Sequence, residues 1–141
     1  MLKRKILALL SVVVFCSFLS QASANTTVIT NDRGGFVLQY ILKYQKLKEN
    51  NSLVQIKGMC ASACTLVFLL PEEQICVNPS SEMLFHQATF KGVREEVATK
   101  YLFDHYPPWL KKFISDKGGL TSNNIIADYN FLKQYLTTCA D

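Results

Sequence analysis

The sequence predicts one α/β domain with parallel strands. Strand-like and helix-like segments alternate from residue 26 to residue 87, which is the order expected of parallel strands joined by helices. Residues 62–70 form a helical segment with almost no polar side chain, and a helix that is apolar on all sides is a buried one. The length of 141 residues is sufficient for a single domain.

The first 24 residues predict a secretory signal peptide that precedes this domain. Lys3, Arg4 and Lys5 are followed by an apolar run over residues 6–19, and a small-x-small cleavage site ends at Ala24. The expected mature domain is therefore residues 25–141, periplasmic or secreted, with no membrane attachment after cleavage. An uncleaved anchor is the alternative, but a 14-residue apolar run is short for a membrane span. Cleavage removes three basic residues and lowers the net charge from +4 to +1, so no nucleic-acid partner is expected.

The elements of the first two thirds are predicted in the following order. Residues 26–30 are β-branched and predict a strand, a polar turn ends at Gly34 and Gly35, and residues 36–47 show helical apolar spacing. A strand over 53–57, the buried helix over 62–70, a strand over 74–78 and a short strand-like segment over 82–87 follow.

The last third is predicted to be helical. One helix is expected over residues 93–104, and a second begins at Pro107-Pro108 and ends at Gly118-Gly119. A short final helix is expected over residues 131–136. The aromatic residues of this third are expected in the core or in a contact between subunits of a homo-oligomer.

Ser62 and His86 are the candidate catalytic residues. Ser62 stands between Ala61 and Ala63 where a strand gives way to a helix, so its hydroxyl and the free N–H groups of the first helical turn can face one substrate. His86 follows 24 residues later at the end of a strand. The alternative is structural, because serine is a preferred N-cap residue.

These motifs together resemble the Clp-protease/crotonase superfamily, and the match covers about residues 26–90. The resemblance is carried by a glycine pair before a helix, a serine opening the next helix, and the segment Phe85-His86-Gln87. It implies a Clp-protease/crotonase-like ββα core. It also implies Ser62 as nucleophile, His86 as general base, and an oxyanion hole formed by the N–H of Gly34 or Gly35 with that of Ala63.

The resemblance does not give a single residue as the third member of a catalytic triad. The Clp proteolytic subunit carries an aspartate just before a phenylalanine-leucine pair, and Asp128 occupies a similar position before Phe131 and Leu132. Asp128 is therefore the first candidate to orient His86. The alternatives are Asn130, Asp104 and Asp116.

Two functions compete on this basis. The first is an exported serine hydrolase, with a peptidase as the preferred class, acting on peptides or small acyl substrates without a cofactor. The second is a catalytically silent binding or scaffold protein of the same fold, stapled by disulfides. An acyl-CoA enzyme of the crotonase type is disfavoured because an exported chain does not meet the CoA pool.

The mature chain contains four cysteines, which in an exported protein predict two disulfides with three possible connectivities. The preferred pairing is Cys64 with Cys76 and Cys60 with Cys139, because the buried helix is expected to pack on the strand that carries Cys76. A zinc site from Cys60, Cys64, Cys76 and His86 is the alternative, but the spacing is unlike that of common zinc modules, and no metal is expected. Cys60 as a thiol nucleophile is a further alternative that a disulfide would abolish.

Overall fold

The computed structural model describes residues 25–140, and the predicted signal peptide lies outside them. The described part is a mixed α/β domain. Its strands are β1 (Thr26–Asp32), β2 (Leu53–Ala61), β3 (Ile75–Val77), β4 (Glu82–Phe85), β5 (Thr89–Phe90), β6 (Val93–Arg94), β7 (Ile125–Asp128) and β8 (Thr137–Thr138). Its α-helices are α1 (Val37–Glu49), α2 (Glu96–His105), α3 (Pro108–Asp116) and α4 (Tyr129–Leu132). A 3₁₀ helix, here named the Ser62 helix, covers Ser62–Leu69.

Strand β2 is the centre of a six-stranded sheet in this part of the chain. It pairs in parallel with β1, and it also pairs in parallel with β3 near its start and with β4 near its end. Strand β8 extends the sheet in parallel beyond β3. The parallel strands expected from the alternating pattern are therefore present, and the end of β2 delivers the chain directly into the Ser62 helix.

The core lies where the Ser62 helix meets the sheet and the helices around it. Residues 63–68 of this helix are all buried, and Leu66 and Val67 have no exposed surface. The apolar composition of the segment predicted this burial. The helix is of the 3₁₀ type, which is tighter than the expected α-helix.

Three features of the last third differ from the helical expectation. Residues 93–94 belong to a β-hairpin with β5, whose turn places Lys91 and Gly92 at positive φ, as a two-residue hairpin turn requires. Strand β7 pairs antiparallel with β4, which makes the sheet mixed. The last helix is limited to Tyr129–Leu132 and is followed by β8. Helices α2 and α3 are present as predicted, with α2 beginning later than expected.

Candidate functional site

Ser62 lies at the turn between β2 and its 3₁₀ helix, in a backbone conformation that is rare for serine. Its φ is +56°, in the left-handed region that costs a non-glycine residue about 1–2 kcal/mol. The N-cap position is held by Ala61, and no side chain caps the helix. Within residues 25–140 the Ser62 hydroxyl makes no hydrogen bond, so the alternative reading of Ser62 as a capping serine is not supported. A strained strand-to-helix turn of this kind presents a nucleophile clear of its neighbours.

A chain of buried hydroxyl groups holds the Ser62 turn from beneath. The Thr65 hydroxyl donates to the Ser62 carbonyl oxygen at 2.6 Å. Because that proton is used, the Tyr106 hydroxyl, 2.6 Å away, must donate to Thr65 Oγ1. Burial raises the pKa of Tyr106 despite the opposing effect of its hydrogen bond with Thr65, so the phenol stays protonated at neutral pH.

Two further constraints act on the same helix. Tyr44 of α1 donates a 2.8 Å hydrogen bond to the Cys64 carbonyl oxygen, and burial, with the nearby negative charge of Asp32, raises its pKa. A disulfide joins Cys60 to Cys64, so that its two cysteines stand on either side of Ser62 in the sequence. The turn is therefore fixed covalently and by hydrogen bonds in the conformation that exposes the serine.

Gly34 packs directly on this turn, where no other residue fits. A Cβ built on Gly34 would lie 2.6 Å from the Ala61 carbonyl oxygen and 2.8 Å from the Ala63 nitrogen, and its φ is +81°. The Gly34 N–H donates to Asp32 Oδ1 at 2.9 Å and is already used. The Gly35 N–H has no partner within the described residues. Of the two glycines, Gly35 therefore has the amide that is free to donate to an oxyanion. The first turn of the Ser62 helix, against which Gly34 packs, has further N–H groups with no partner inside the helix.

His86 follows the last residue of β4 and is oriented by the backbone. Its Nδ1 lies 2.6 Å from the Gln87 carbonyl oxygen, which can only accept, so Nδ1 carries the proton of this hydrogen bond. In the neutral imidazole this leaves Nε2 as the proton acceptor. Within residues 25–140 neither Ser62 nor any carboxylate is hydrogen-bonded to His86. Hydrogen bonds of catalytic groups are often long before substrate binds.

One cavity of about 480 Å³ brings the candidate residues together. Ser62, His86, Gly34 and Gly35 all line it. The remaining wall combines apolar and charged side chains, from Arg33, Phe36, Val37, Ala88, Thr89, Phe90, Glu95 and Ala98. This volume is sufficient for a small acyl group or a few residues of a peptide.

Asp128 is not among the residues that line this cavity, and its side chain caps helix α4. In the antiparallel pairing of β4 with β7, Asp128 lies opposite Glu82, whereas the residue before His86 lies opposite Ile125. Three residue steps along a strand separate these pairs by about 10 Å. The exposed Asp128 carboxylate instead accepts the Phe131 N–H at 2.9 Å and caps α4. Among the described residues the hydrogen-bond partner of His86 is therefore the Gln87 carbonyl oxygen, and Asp128 is not bonded to the histidine.

The four cysteines of residues 25–140 form two disulfides, but the preferred pairing was wrong. Cys60 is bonded to Cys64, and Cys76 is bonded to Cys139. The parallel pairing of β3 with β8 explains the second bond, because it places Cys76 opposite Thr137 and returns the chain end to this strand. All four sulfur atoms are therefore engaged, which removes the thiolates that the zinc alternative and the Cys60 nucleophile required.

Two residues at the site, Glu95 and Asp32, were not singled out from the sequence. Glu95 lines the cavity and caps α2 by accepting the Ala98 N–H at 2.7 Å. Asp32 holds the Gly34 amide, and an aspartate two residues before a glycine in a polar turn is a recognisable signal for such a bond.

Comparison with known proteins adds no assignment to these observations. No model of a protein family matches the chain, and no curated protein matches it. Within residues 25–140, no helix combines the length and apolar character needed to cross a lipid bilayer. The two disulfides are compatible with an extracellular or periplasmic protein.

Proposed function

We propose that this protein is an exported serine hydrolase of the Clp-protease/crotonase type that acts on peptides or small acyl substrates. The observation that carries the proposal is the left-handed Ser62, whose unengaged hydroxyl shares one cavity with His86 and the glycine pair. Holding a strained residue in a rigid frame is unfavourable unless the geometry serves a purpose, and such strain is concentrated at functional sites. The expected compartment is the periplasm or the cell exterior.

The chemistry follows from the groups around the cavity. Ser62 Oγ forms a bond to the substrate carbonyl carbon while His86 Nε2 takes the hydroxyl proton. The carbonyl oxygen becomes an oxyanion, which the N–H groups of Gly35 and Ala63 stabilise. His86 then gives the proton to the leaving group, whose bond to the carbonyl carbon breaks. In the second half of the reaction His86 Nε2 takes a proton from water while the water oxygen bonds to the acyl carbon. The bond from that carbon to Ser62 Oγ then breaks, and His86 returns the proton to Ser62 Oγ.

The main-chain partner of His86 affects the expected rate. A carboxylate stabilises the imidazolium that forms during the reaction, and the Gln87 carbonyl carries only a partial charge. The tautomer is nevertheless the productive one, because the hydrogen bond to Gln87 holds the proton on Nδ1 and leaves Nε2 free to accept the serine proton. We therefore expect a slow hydrolase rather than an inactive one.

A fluorophosphonate probe tests this proposal on the folded, oxidised protein between pH 6 and pH 9. The wild-type protein should become labelled at Ser62 with loss of fluoride, and Ser62→Ala should abolish the label. His86→Ala should reduce labelling comparably, because residues that act as a unit are non-additive. Ser122→Ala, which alters an exposed serine outside the cavity, is the matched control and should label like the wild type.

The alternative function, a silent disulfide-stapled binding protein, is favoured by one observation. In the described residues Ser62 and His86 share no hydrogen bond, and no carboxylate supports the histidine. That alternative predicts no labelling of the wild-type protein over the whole pH range. Absence of labelling in folded, oxidised protein would therefore replace the hydrolase proposal with the binding protein.

A further inference from the structure

The segment that carries Gly34 and Gly35 is anchored by one carboxylate. Asp32, the last residue of β1, pairs in register with Cys60, so it lies beside the end of β2 where the Ser62 turn begins. Its Oδ1 accepts two hydrogen bonds, from the Gly34 N–H at 2.9 Å and from the Tyr40 hydroxyl at 2.5 Å. The carboxylate therefore links the glycine segment to helix α1.

The charge state of this anchor is secured by its neighbours. Burial by itself raises the pKa of Asp32, but the hydrogen bonds from Tyr40 and Gly34 and the charge of Lys43 outweigh it and lower the pKa below its ordinary value. Burial and the bond to Asp32 raise the pKa of Tyr40 to about 12, so the phenol remains a donor. Lys43 Nζ approaches Oδ2 at 3.4 Å and is a weaker contact.

The glycine segment is confined on both sides. On one side Gly34 lies against the Ser62 turn, so closely that a Cβ would overlap with it. On the other side the Tyr40 ring lies 3.6 Å from where a Cβ on Gly35 would stand. Only the Gly34 amide is tied down by a hydrogen bond to Asp32, which leaves the next amide, that of Gly35, unengaged among the described residues.

We propose that Asp32 is a positioning residue for the oxyanion hole: by engaging the Gly34 N–H it holds the Gly35 N–H beside Ser62. This inference rests on the proposed hydrolase function for its catalytic meaning. Its structural part stands on the hydrogen bonds alone and can be measured in the resting protein. Asp32 itself does not touch the reacting atoms, because it acts through the glycine backbone.

Two substitutions at the same position separate the acceptor from the charge. Asp32→Asn keeps an oxygen acceptor for Gly34 and Tyr40 and removes the negative charge, whereas Asp32→Ala removes the acceptor as well. Tyr40→Phe keeps the ring against Gly35 and removes one donor to the carboxylate. Circular dichroism and urea unfolding first establish that each variant is folded at the temperature used.

The first measurement is amide hydrogen exchange of Gly34 by NMR in the resting protein. The Gly34 amide should be protected in the wild type and in Asp32→Asn, and should lose protection in Asp32→Ala. Tyr40→Phe should give an intermediate result. Unchanged exchange in Asp32→Ala would overturn the Asp32 proposal, whatever the labelling experiment shows.

The second measurement is the saturation kinetics of fluorophosphonate labelling. Asp32→Ala should lower the maximal labelling rate about 10- to 100-fold, the cost of misplacing a stabilising group by about 1 Å, with little change in the half-saturating concentration. Asp32→Asn should remain close to the wild type. If Asp32→Asn falls as far as Asp32→Ala, the charge and not the acceptor matters, and the proposal is overturned. A wild-type protein that never labels would instead refute the hydrolase proposal, independently of the exchange data.

Discussion

Replacing Ser62 with alanine separates a nucleophile from a structural serine. The Ser62 hydroxyl makes no hydrogen bond within the described residues and caps no helix, so its removal takes away no stabilising contact. Alanine has the same restriction at positive φ as serine and retains the backbone strain. We therefore expect Ser62→Ala to change the free energy of unfolding by less than about 0.5 kcal/mol, whereas loss of a capping side chain costs about 0.5–2 kcal/mol.

A capping residue in the same domain provides the matched control. The Asp128 side chain accepts the Phe131 N–H at the start of α4, and Asp128→Ala should cost about 0.5–2 kcal/mol. Equilibrium unfolding in urea measures both variants, and at an m-value of about 1.5 kcal/mol per molar the smaller change shifts the midpoint by under about 0.3 M. Asp128→Ala should also keep full labelling, since Asp128 lies outside the cavity lining.

Two results would contradict this assignment of Ser62 and Asp128. A loss of more than about 1 kcal/mol in Ser62→Ala, comparable to that of Asp128→Ala, would make Ser62 a structural residue after all. Loss of labelling in Asp128→Ala with an unchanged unfolding midpoint would return Asp128 to the catalytic machinery and contradict its position in the sheet.

Three other predictions follow from the packing, the disulfides and the electrostatics. Gly34→Ala should destabilise the fold by more than about 2 kcal/mol in urea unfolding, because its Cβ would overlap with backbone atoms at a positive φ; Gly35→Ala, whose Cβ meets its nearest atom at 3.6 Å, should be tolerated. Replacing Cys76 and Cys139 by serine should cost about 4 kcal/mol, measured by urea unfolding of the oxidised protein, since the bond closes a long loop with a sequence separation of 63. Because the pKa of Asp32 is lower in the folded protein than its value of 3.8 in the unfolded chain, ionised Asp32 stabilises the fold above pH 3.8. This stability is lost as the pH falls through the pKa of the folded protein. Asp32→Asn should therefore lose less stability than the wild type when urea unfolding is measured at increasingly acid pH.

Each of these predictions has a clear contrary outcome. Equal stability of the two glycine variants would show that the close approach of the glycine segment to the Ser62 turn is absent in solution. Two or more reactive thiols in the unfolded, unreduced domain would contradict the disulfides. A variant at position 32 that keeps the full acid sensitivity of the wild type would show that other carboxylates control it.

The parts of the fold that local patterns encode were predictable. The apolar run after Ser62 predicted a buried helix because burial on all sides requires apolar side chains on all sides, and residues 63–68 are buried. The end of β4 just before His86 was also visible, as a short strand-like segment. The β5–β6 hairpin was missed because its strands are two residues long, although Gly92 in its turn was a usable signal.

The sequence was sufficient to name candidate residues for the site but not to predict the contacts that these residues make. Ser62, His86 and the glycine pair could be selected from the sequence, because a small-residue turn before a helix is a local feature. The hydrogen-bond partner of His86 could not be predicted, because it is a main-chain carbonyl, which every residue carries. The left-handed φ of Ser62 was likewise hidden, because such a conformation is imposed on serine by its surroundings and not by its own preference.

Local sequence patterns were enough to predict the order of the main elements, the burial of the segment after Ser62, and the number of cysteines available for bonding. The pairing of the cysteines, the antiparallel position of β7 beside β4, the capping of a helix by Asp128 and the hydrogen bond from Gly34 to Asp32 depend on the folded chain. The difference lies in the range of the interactions. Periodicity and turn chemistry act between residues a few positions apart, whereas a pairing across the sheet depends on where the whole chain returns in space.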